Sequence, residues 1–285
     1  GLYEGYVDYN VCDWFNVRAG QQRLPLGRQA LVHETDLSFG NRAFEGVNDY
    51  NLNNGFTVGS DEGMDYGVYR DLGVMIYKMY EDLFDVKVMG DEGMAFEYMI
   101  GIWNGDLAED NNWMAMAVRW AYYPFGAIPY VESDWTSSAN PKFGIGMSFA
   151  SDQGTPGGNE RMQFYGWDAV MTWSGLYLTG EWQRTKFVNY DGNNGDNGKI
   201  RQWFVEAGFM VLPQELELMI RYVKQGAGAG VDPSKTEEWS GGVAYYFEGH
   251  NLKGILEVGQ QQTDSPSGSD LKDAEAFFFR LTFQL

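Results

Sequence analysis

The side chains that most often carry out covalent or metal chemistry are scarce in this sequence. Cys12 is the single cysteine, so an internal disulfide and a thiolate metal cage are both excluded. His33 and His250 are the two histidines, and His250 lies in a Glu-Gly-His-Asn run typical of a turn. No GxSxG, phosphate-loop, HExxH or dinucleotide-binding pattern occurs. The sequence therefore predicts no catalytic site, no metal site and no bound cofactor.

Carboxylates are the abundant reactive groups, with 40 Asp and Glu against 20 Lys and Arg in 285 residues. Paired carboxylates can work as acid and base, as in glycosidases, but so many acids place some pairs together by chance. Residues 191–196 are rich in Asp, Asn and Gly, yet the glutamate that closes a calcium loop is missing. We interpret this run as a solvated loop and expect that the protein is not an enzyme.

The charge and composition exclude several classes of protein. A net charge of −20 argues against a nucleic-acid partner, because such proteins carry a basic surface. An aromatic content of 16% excludes a disordered acidic chain. The sequence contains no run of 18 apolar residues, so it predicts no transmembrane helix. The mean hydropathy of −0.39, taken alone, is typical of a soluble protein.

The elements that would position any functional side chain are strands, because the dominant pattern has a period of two. In residues 277–285, Phe277, Phe279, Leu281, Phe283 and Leu285 share one face, and the other face is mostly polar. Thirteen segments show such alternation, at 2–10, 15–23, 71–80, 94–103, 114–123, 142–150, 166–173, 176–186, 201–211, 216–225, 238–247, 251–261 and 275–285. Each is about ten residues long, the length of a tilted strand that crosses a bilayer.

Short and long connections alternate between these segments. The connectors at 174–175 and 213–214 are tight, whereas those at 187–200, 226–237 and 262–274 are long and polar. Bacterial barrels have short periplasmic turns and longer external loops. The sequence therefore predicts an all-β fold, a transmembrane antiparallel up-and-down β-barrel in the bacterial outer membrane. An 18-residue connector at 124–141, on the side of the tight turns, is a conspicuous exception.

A soluble β-sandwich is the alternative fold, but its strands are commonly five or six residues long. Tryptophans near segment ends favour the barrel, because aromatic girdles mark both membrane interfaces. The girdle candidates are Trp103, Trp113, Trp167, Trp173, Trp182, Trp203 and Trp239.

The face opposite the apolar one should line the interior of the barrel. Its predicted charged residues are Arg18, Glu97, Arg119, Asp168, Glu181, Glu206, Glu217, Arg221, Lys253, Glu257 and Arg280, together with Glu4 and Asp8. Acids outnumber bases in this set, and carboxylate rings favour cations. We therefore expect weak cation preference or poor selectivity. Facing acids and bases could set up a field across the pore, or they could simply pair with one another.

Several stretches resemble the phosphate-selective porin O and P family. They are residues 17–28 (Val-Arg-Ala-Gly-Gln-Gln-Arg-Leu-Pro-Leu-Gly-Arg), 36–39, 69–74, 167–182 and 279–283. Each motif is weak alone, but their order and spacing match through most of the chain. The resemblance implies an outer-membrane channel of 16 strands, usually a homotrimer, with about three strands before the segment that begins near Tyr3. Those strands would make the count even, as single-chain bacterial barrels require.

The resemblance also implies how the chain is organised. Residues 1–285 would form a single transmembrane barrel domain that lacks N-terminal strands, and part of 24–70 would fold inward and narrow the pore. The candidate constriction residues in this region are Arg23, Arg28, Arg42, Glu34 and Asp36. The acidic interior departs from the basic lumen of anion-selective members, so phosphate selectivity is not carried over.

Three functions follow from this sequence, from different classes. Passive diffusion of small hydrophilic solutes or ions is the leading hypothesis, with outer-membrane lipid and lipopolysaccharide as surroundings. A barrel that sheathes or anchors a partner, such as a cytochrome or a surface protein, is the second. An outer-membrane enzyme is the third, disfavoured because the sequence shows no Ser/His site.

Overall fold

A computed structural model describes residues 4–44, 70–78, 94–104, 114–152, 161–188, 199–227, 235–264 and 274–284. These residues form one 13-stranded sheet in which strands neighbour one another in chain order. The strands are β1 Gly5–Cys12, β2 Phe15–Arg23, β3 Arg70–Lys78, β4 Ala95–Trp103, β5 Ala115–Tyr123, β6 Lys142–Asp152, β7 Arg161–Trp173, β8 Leu176–Val188, β9 Lys199–Leu212, β10 Leu216–Ala227, β11 Lys235–Tyr246, β12 Lys253–Asp264 and β13 Ala274–Gln284.

Each strand pairs antiparallel with its neighbours in sequence, so the predicted all-β, up-and-down fold and its thirteen strands are confirmed. The outermost strands β1 and β13 each pair with one neighbour, and the sheet is not closed. Helical structure in the described residues consists of one turn, α1 Arg28–Leu31, and a 3₁₀ turn at Glu34–Asp36. No helix among the described residues is long and apolar enough to cross a membrane.

The two ends of the sheet differ in their connections. At the turn end, residues 174–175, 213–215 and 247–252 join neighbouring strands, and the longer connector 124–141 lies at this end as well. At the loop end, the chain leaves β2, β8, β10 and β12 for longer connections.

Strands β7 to β12 extend further at the loop end than the alternation of the sequence predicts. β7 begins at Arg161, β9 begins at Lys199 and β11 begins at Lys235. The paired ladder continues there, as in Lys186 opposite Lys199. Polar side chains occupy the apolar face in these extensions, so hydrogen bonding outlasts the hydrophobic pattern.

The outer face of the sheet is apolar and uncovered. Val205, Phe209, Ile220, Val258 and Phe279 are all between 45% and 69% exposed. Alternate residues on the same strands are buried and polar, such as Glu206, Arg221 and Glu257. A continuous exposed apolar face on long strands is what lipid covers in a membrane barrel.

Aromatic side chains form a ladder across this outer face. Trp167 lies opposite Trp182, and Trp182 lies opposite Trp203. Tyr222 continues the row, with ring centroids 5.1 Å from Trp203 and 4.4 Å from Trp239. Near the turn end, Trp14, Trp173 and Phe247 are also exposed. Two aromatic levels of this kind correspond to the girdles of membrane barrels.

Trp103 was wrongly assigned to the girdle. It is 1% exposed and lies flat on the inner face, where its ring covers Gly73 and Gly101. The two glycines provide room for the indole because they have no side chain. Trp113 lies outside the described residues.

The inner face is covered by two non-strand segments. The inward segment, defined here as residues 24–44, buries Leu24, Leu26, Val32, Leu37 and Phe39 almost completely. The connector 124–141 buries Ile128, Tyr130, Glu132, Ser133 and Asp134. Apolar clusters join both segments to strand residues, as in the contact of Phe39 with the β10–β12 region.

Candidate functional site: the inward segment and the charged inner face

The inward segment turns off the sheet directly after β2. The Leu26 N–H bonds the Leu24 carbonyl at 2.9 Å, and Gly27 then takes a φ of 140°, which favours glycine. A Cβ at Gly27 would also collide with Oε2 of Glu181 on β8. Close approach of the backbone to β8 therefore directs the chain across the inner face.

A network of three arginines and two glutamates holds the base of the segment at the loop end. The carboxylate of Glu34 forms ion pairs with Arg70 at 2.7 Å, Arg23 at 2.9 Å and Arg42 at 3.3 Å. The carboxylate of Glu4 accepts hydrogen bonds from Nε of Arg23 at 2.6 Å and from Nε of Arg70 at 2.9 Å. Several charge-assisted bonds to one carboxylate fix its position more firmly than a single ion pair would.

The pKa of Glu34 reflects this network. Burial alone would raise the pKa, but the guanidinium groups of Arg23, Arg70 and Arg42 outweigh it and hold the pKa of Glu34 at about 2. Glu34 is thus an anion at every physiological pH. The charges of this network are three positive and two negative, so its local field favours anions.

The five constriction candidates do not form one cluster. Arg23, Arg42 and Glu34 come together, and Arg70 joins them. Arg28 lies elsewhere, where it bonds the Pro129 carbonyl and covers the Tyr130 ring with its guanidinium 4.7 Å from the centroid. Asp36 lies at the turn-end side, 3.5 Å from Nδ1 of His250.

Glu132 of the connector joins the inward segment to the turn end. Its carboxylate accepts bonds from Gln29 Nε2 at 2.6 Å and from the Ser38 N–H at 3.0 Å. Its own N–H bonds the Asp36 carbonyl at 2.9 Å. The sequence reasoning missed Glu132, although the unusual length of the connector was a signal that it does more than turn the chain.

Arg119 is the centre of a buried cluster on β4, β5 and β7. It bonds both carboxylate oxygens of Asp168, one of them at 2.9 Å, and lies 3.8 Å from Glu97. Glu97 also accepts from Tyr123 at 3.2 Å and from Tyr130 of the connector. The cluster is therefore shared between strands and connector.

Arg221 is the centre of a second cluster, on β9 to β13. Glu238, Glu257 and Glu206 lie 3.4, 3.7 and 4.0 Å from its guanidinium. Arg280 pairs with Glu257 at 3.2 Å.

The tip of the inward segment is bound by the bases of this second cluster. Arg221 donates to the Asn41 carbonyl at 2.9 Å and to its Oδ1 at 3.1 Å, and Arg280 donates to the same Oδ1 at 2.7 Å. Lys253 donates to the Leu37 carbonyl. The segment thus contacts both the middle and the far strands of the sheet.

The remaining lumen candidates also lie on the inner face. Arg18 pairs with Asp8 at 2.8 Å and stacks over Tyr6. Glu181 accepts from the Gln29 N–H, and Glu217 accepts from Tyr246 at 2.5 Å. Both carboxylate oxygens of Glu206 and one of Glu217 are buried without a hydrogen-bond partner among the described residues.

Two bases on the inner face are therefore surrounded by acids from other strands. Arg119 lies between Glu97 and Asp168, and Arg221 lies among several glutamates. Charges arranged in this way largely cancel locally, which corresponds to the pairing alternative of the sequence analysis. Five further acids of the 24–70 stretch lie outside the described residues, as does the 191–196 loop: Glu45, Asp49, Asp61, Glu62 and Asp65.

Comparisons with known proteins identify the fold. An anion-selective porin from Comamonas acidovorans matches with a TM-score of 0.55 and 12% identity, over 96% of this chain and 71% of the porin. The outer-membrane protein OmpT of Vibrio cholerae matches with a TM-score of 0.53 and 12% identity, over 97% of this chain and 77% of OmpT. No family model matches the sequence, and no curated protein is similar to it.

The protein therefore has the porin-like fold of outer-membrane β-barrels. The exposed apolar face and the two aromatic levels agree with this class and place the chain in the bacterial outer membrane.

Proposed function

We propose that the protein is an outer-membrane porin for small hydrophilic solutes or ions, in which the inward segment sets the width of the passage. The observation that carries the proposal is the anchoring of residues 24–44 by charged groups at both ends. Arg70 holds Glu34 at the base, and Arg221 and Arg280 hold Asn41 at the tip. A segment bound in this way across the inner face leaves a passage defined by fixed side chains.

Weak cation preference is the selectivity we propose. In the charged set predicted to face the interior, eight acids stand against five bases, and carboxylates lining a pore favour cations. The arginine network around Glu34 opposes this preference locally. Solutes passing along the segment would meet both regions.

Reversal potentials in planar bilayers under a salt gradient test this proposal. We expect modest cation preference for the native protein and a shift toward anions in Glu34→Gln, because the arginine network loses one negative charge. Glu237→Gln is the matched control, since Glu237 pairs with Lys224 on the outer face. Clear anion selectivity of the native protein, or equal shifts in the two variants, would contradict the proposal.

Membership in the phosphate-selective porin O and P family is a finer proposal, and it is supported by the motif order. A 16-stranded homotrimer and contact with lipopolysaccharide belong to the same proposal. Mass measurement of the detergent-solubilised protein tests the trimer. Phosphate specificity is not part of this proposal, because the inner face is acidic.

A barrel that anchors a partner is the second candidate. The filled inner face favours it over a sheath, because the inward segment and the connector occupy the space that a threaded partner would need. A purified protein that conducts no ions and copurifies with a stoichiometric subunit would support this function instead. We propose no enzymatic activity.

A further inference from the structure

Four basic side chains form a cluster on the outer face, which we name the outer basic cluster: Arg184, Lys186, Lys199 and Arg201. Arg184 lies directly opposite Arg201, and Lys186 lies directly opposite Lys199, on the paired strands β8 and β9. Like charges at directly opposed positions destabilise an antiparallel pair. An anion bound between two such pairs side by side would relieve this repulsion.

The cluster lies on the lipid side of the barrel, beyond the aromatic ladder. On the same outer face, the next residues along the two strands toward the turn end are Trp182 and Trp203, which lie opposite each other. Arg201 is exposed and the other three are partly exposed. Aromatic girdles lie at the headgroup level, so the four cations lie at the headgroups of the leaflet on the loop side.

No acid in the described part of the chain forms an ion pair with any of the four. Nitrogen Nε of Arg184 is buried without a hydrogen-bond partner there. Lys224, on the same face, is by contrast paired with Glu237. The sequence of the loop between β8 and β9 adds two acids, Asp191 and Asp196. The four basic residues outnumber them, so the net charge of these six residues is positive.

The distribution of charge in the whole chain makes the cluster unusual. The protein carries 20 basic residues against 40 acidic ones. Most of the described basic residues near the inner face are engaged, as Arg23, Arg119 and Arg221 are. Four cations at adjacent positions, none of them in an ion pair with a described residue, point to a site for an external anion in this acidic protein.

We propose that the outer basic cluster binds the phosphate groups of an anionic lipid in the outer leaflet, the phosphorylated glucosamine headgroup of lipopolysaccharide. Neighbouring strands are about 4.8 Å apart, and alternate residues on one strand are about 7 Å apart. Four cations within such an area can hold one or two phosphates, and arginine does so through two parallel bonds. The proposal specifies the lipid contact named above and rests on outer-membrane location, not on conduction.

Binding of lipid A to the full chain in a neutral detergent tests the site. We expect lipid A with two phosphates to bind, and the Arg184→Gln/Arg201→Gln variant to bind it roughly 25-fold more weakly, at about fivefold per basic residue. Lys78→Gln is the matched control, because Lys78 ends β3 at the turn end, where it stacks over Trp14. Dephosphorylated lipid A should bind native and variant proteins equally weakly.

Arg201→Glu separates lost binding from lost folding. It converts a like-charge pair into an ion pair, so we expect an unchanged or higher melting temperature together with weaker lipid A binding. Equal binding of lipid A by the native protein and both variants would overturn the proposal. Competition by inorganic phosphate at the concentration of the lipid would also overturn it, because the site would then serve free phosphate.

Measuring conductance in bilayers of phospholipid alone distinguishes a failure of this proposal from a failure of the proposed porin function. The four residues lie outside the passage, so their substitution should leave conductance unchanged. A variant that loses lipid A and still conducts supports both proposals. A native protein that binds lipid A and does not conduct would contradict the porin proposal alone.

Discussion

At the scale of single residues, the inner face is organised by carboxylates that each serve several partners. Glu34 joins three arginines, and Glu132 joins the inward segment to the connector. Charges that share partners form networks, and removing one member leaves the others uncompensated. Single substitutions should therefore have effects that depend strongly on burial.

The pH dependence of Glu34 follows from its lowered pKa. A carboxyl with a pKa of about 2 in the folded protein, against 4.5 ordinarily, stabilises the fold above pH 4.5. That stabilisation is lost progressively as pH falls from 4.5 through 2. We expect the stability difference between native protein and Glu34→Gln to be constant from pH 8 to 5 and to fade below 4.5. Urea denaturation in detergent at several pH values measures it, and a transition near pH 6 would contradict the assignment.

Asp168→Asn tests the buried cluster around Arg119. The substitution leaves a fully buried guanidinium without its principal partner, which costs about 3–5 kcal/mol in unfolding free energy. Asp8→Asn, which breaks the partly exposed pair with Arg18, is the matched control and should cost less. Comparable losses in the two variants would show that burial is not the deciding factor.

At the scale of elements, Gly27 controls where the inward segment crosses the sheet. Gly27→Ala introduces a side chain at a φ of 140° and against Glu181. We expect about 1–3 kcal/mol of destabilisation and a larger single-channel conductance, because the segment is displaced from β8. Gly226→Ala is the control, since a Cβ there meets nothing within 4 Å. Unchanged conductance in Gly27→Ala would separate the segment from the passage.

The strands were predictable and the inward segment was predictable only in outline. Each strand, such as the one that includes 201–211, has one face toward apolar surroundings and one toward polar surroundings. Residue types therefore alternate along the sequence, and this alternation predicts the strand. The contact of Arg28 with the Pro129 carbonyl depends on the path of two irregular segments, which no period encodes. Trp103 was misplaced for a related reason, because two glycines make room for it on the inner face.

At the scale of the whole molecule, the outward apolar band determines how the protein lies in the membrane. Trp182 is exposed on this band, whereas Trp103 is buried on the inner face. Brominated acyl chains quench tryptophans that they contact, so Trp182→Phe should reduce the quenched fraction of the fluorescence and Trp103→Phe should not. Reconstituted protein in brominated phosphatidylcholine provides the measurement. Equal changes in the two variants would place the sheet differently in the bilayer.

The ion pairs between strands on the inner face have a consequence for how the sheet is assembled. Arg119 meets Asp168 only when β5, β6 and β7 pair in their native alignment. A slip of one residue would turn Arg119 toward lipid, at a cost of about 2–4 kcal/mol near the bilayer midplane. A slip of two residues would keep it inside but away from its carboxylate. The buried charges therefore favour the native register each time a new hairpin pairs with the one before it.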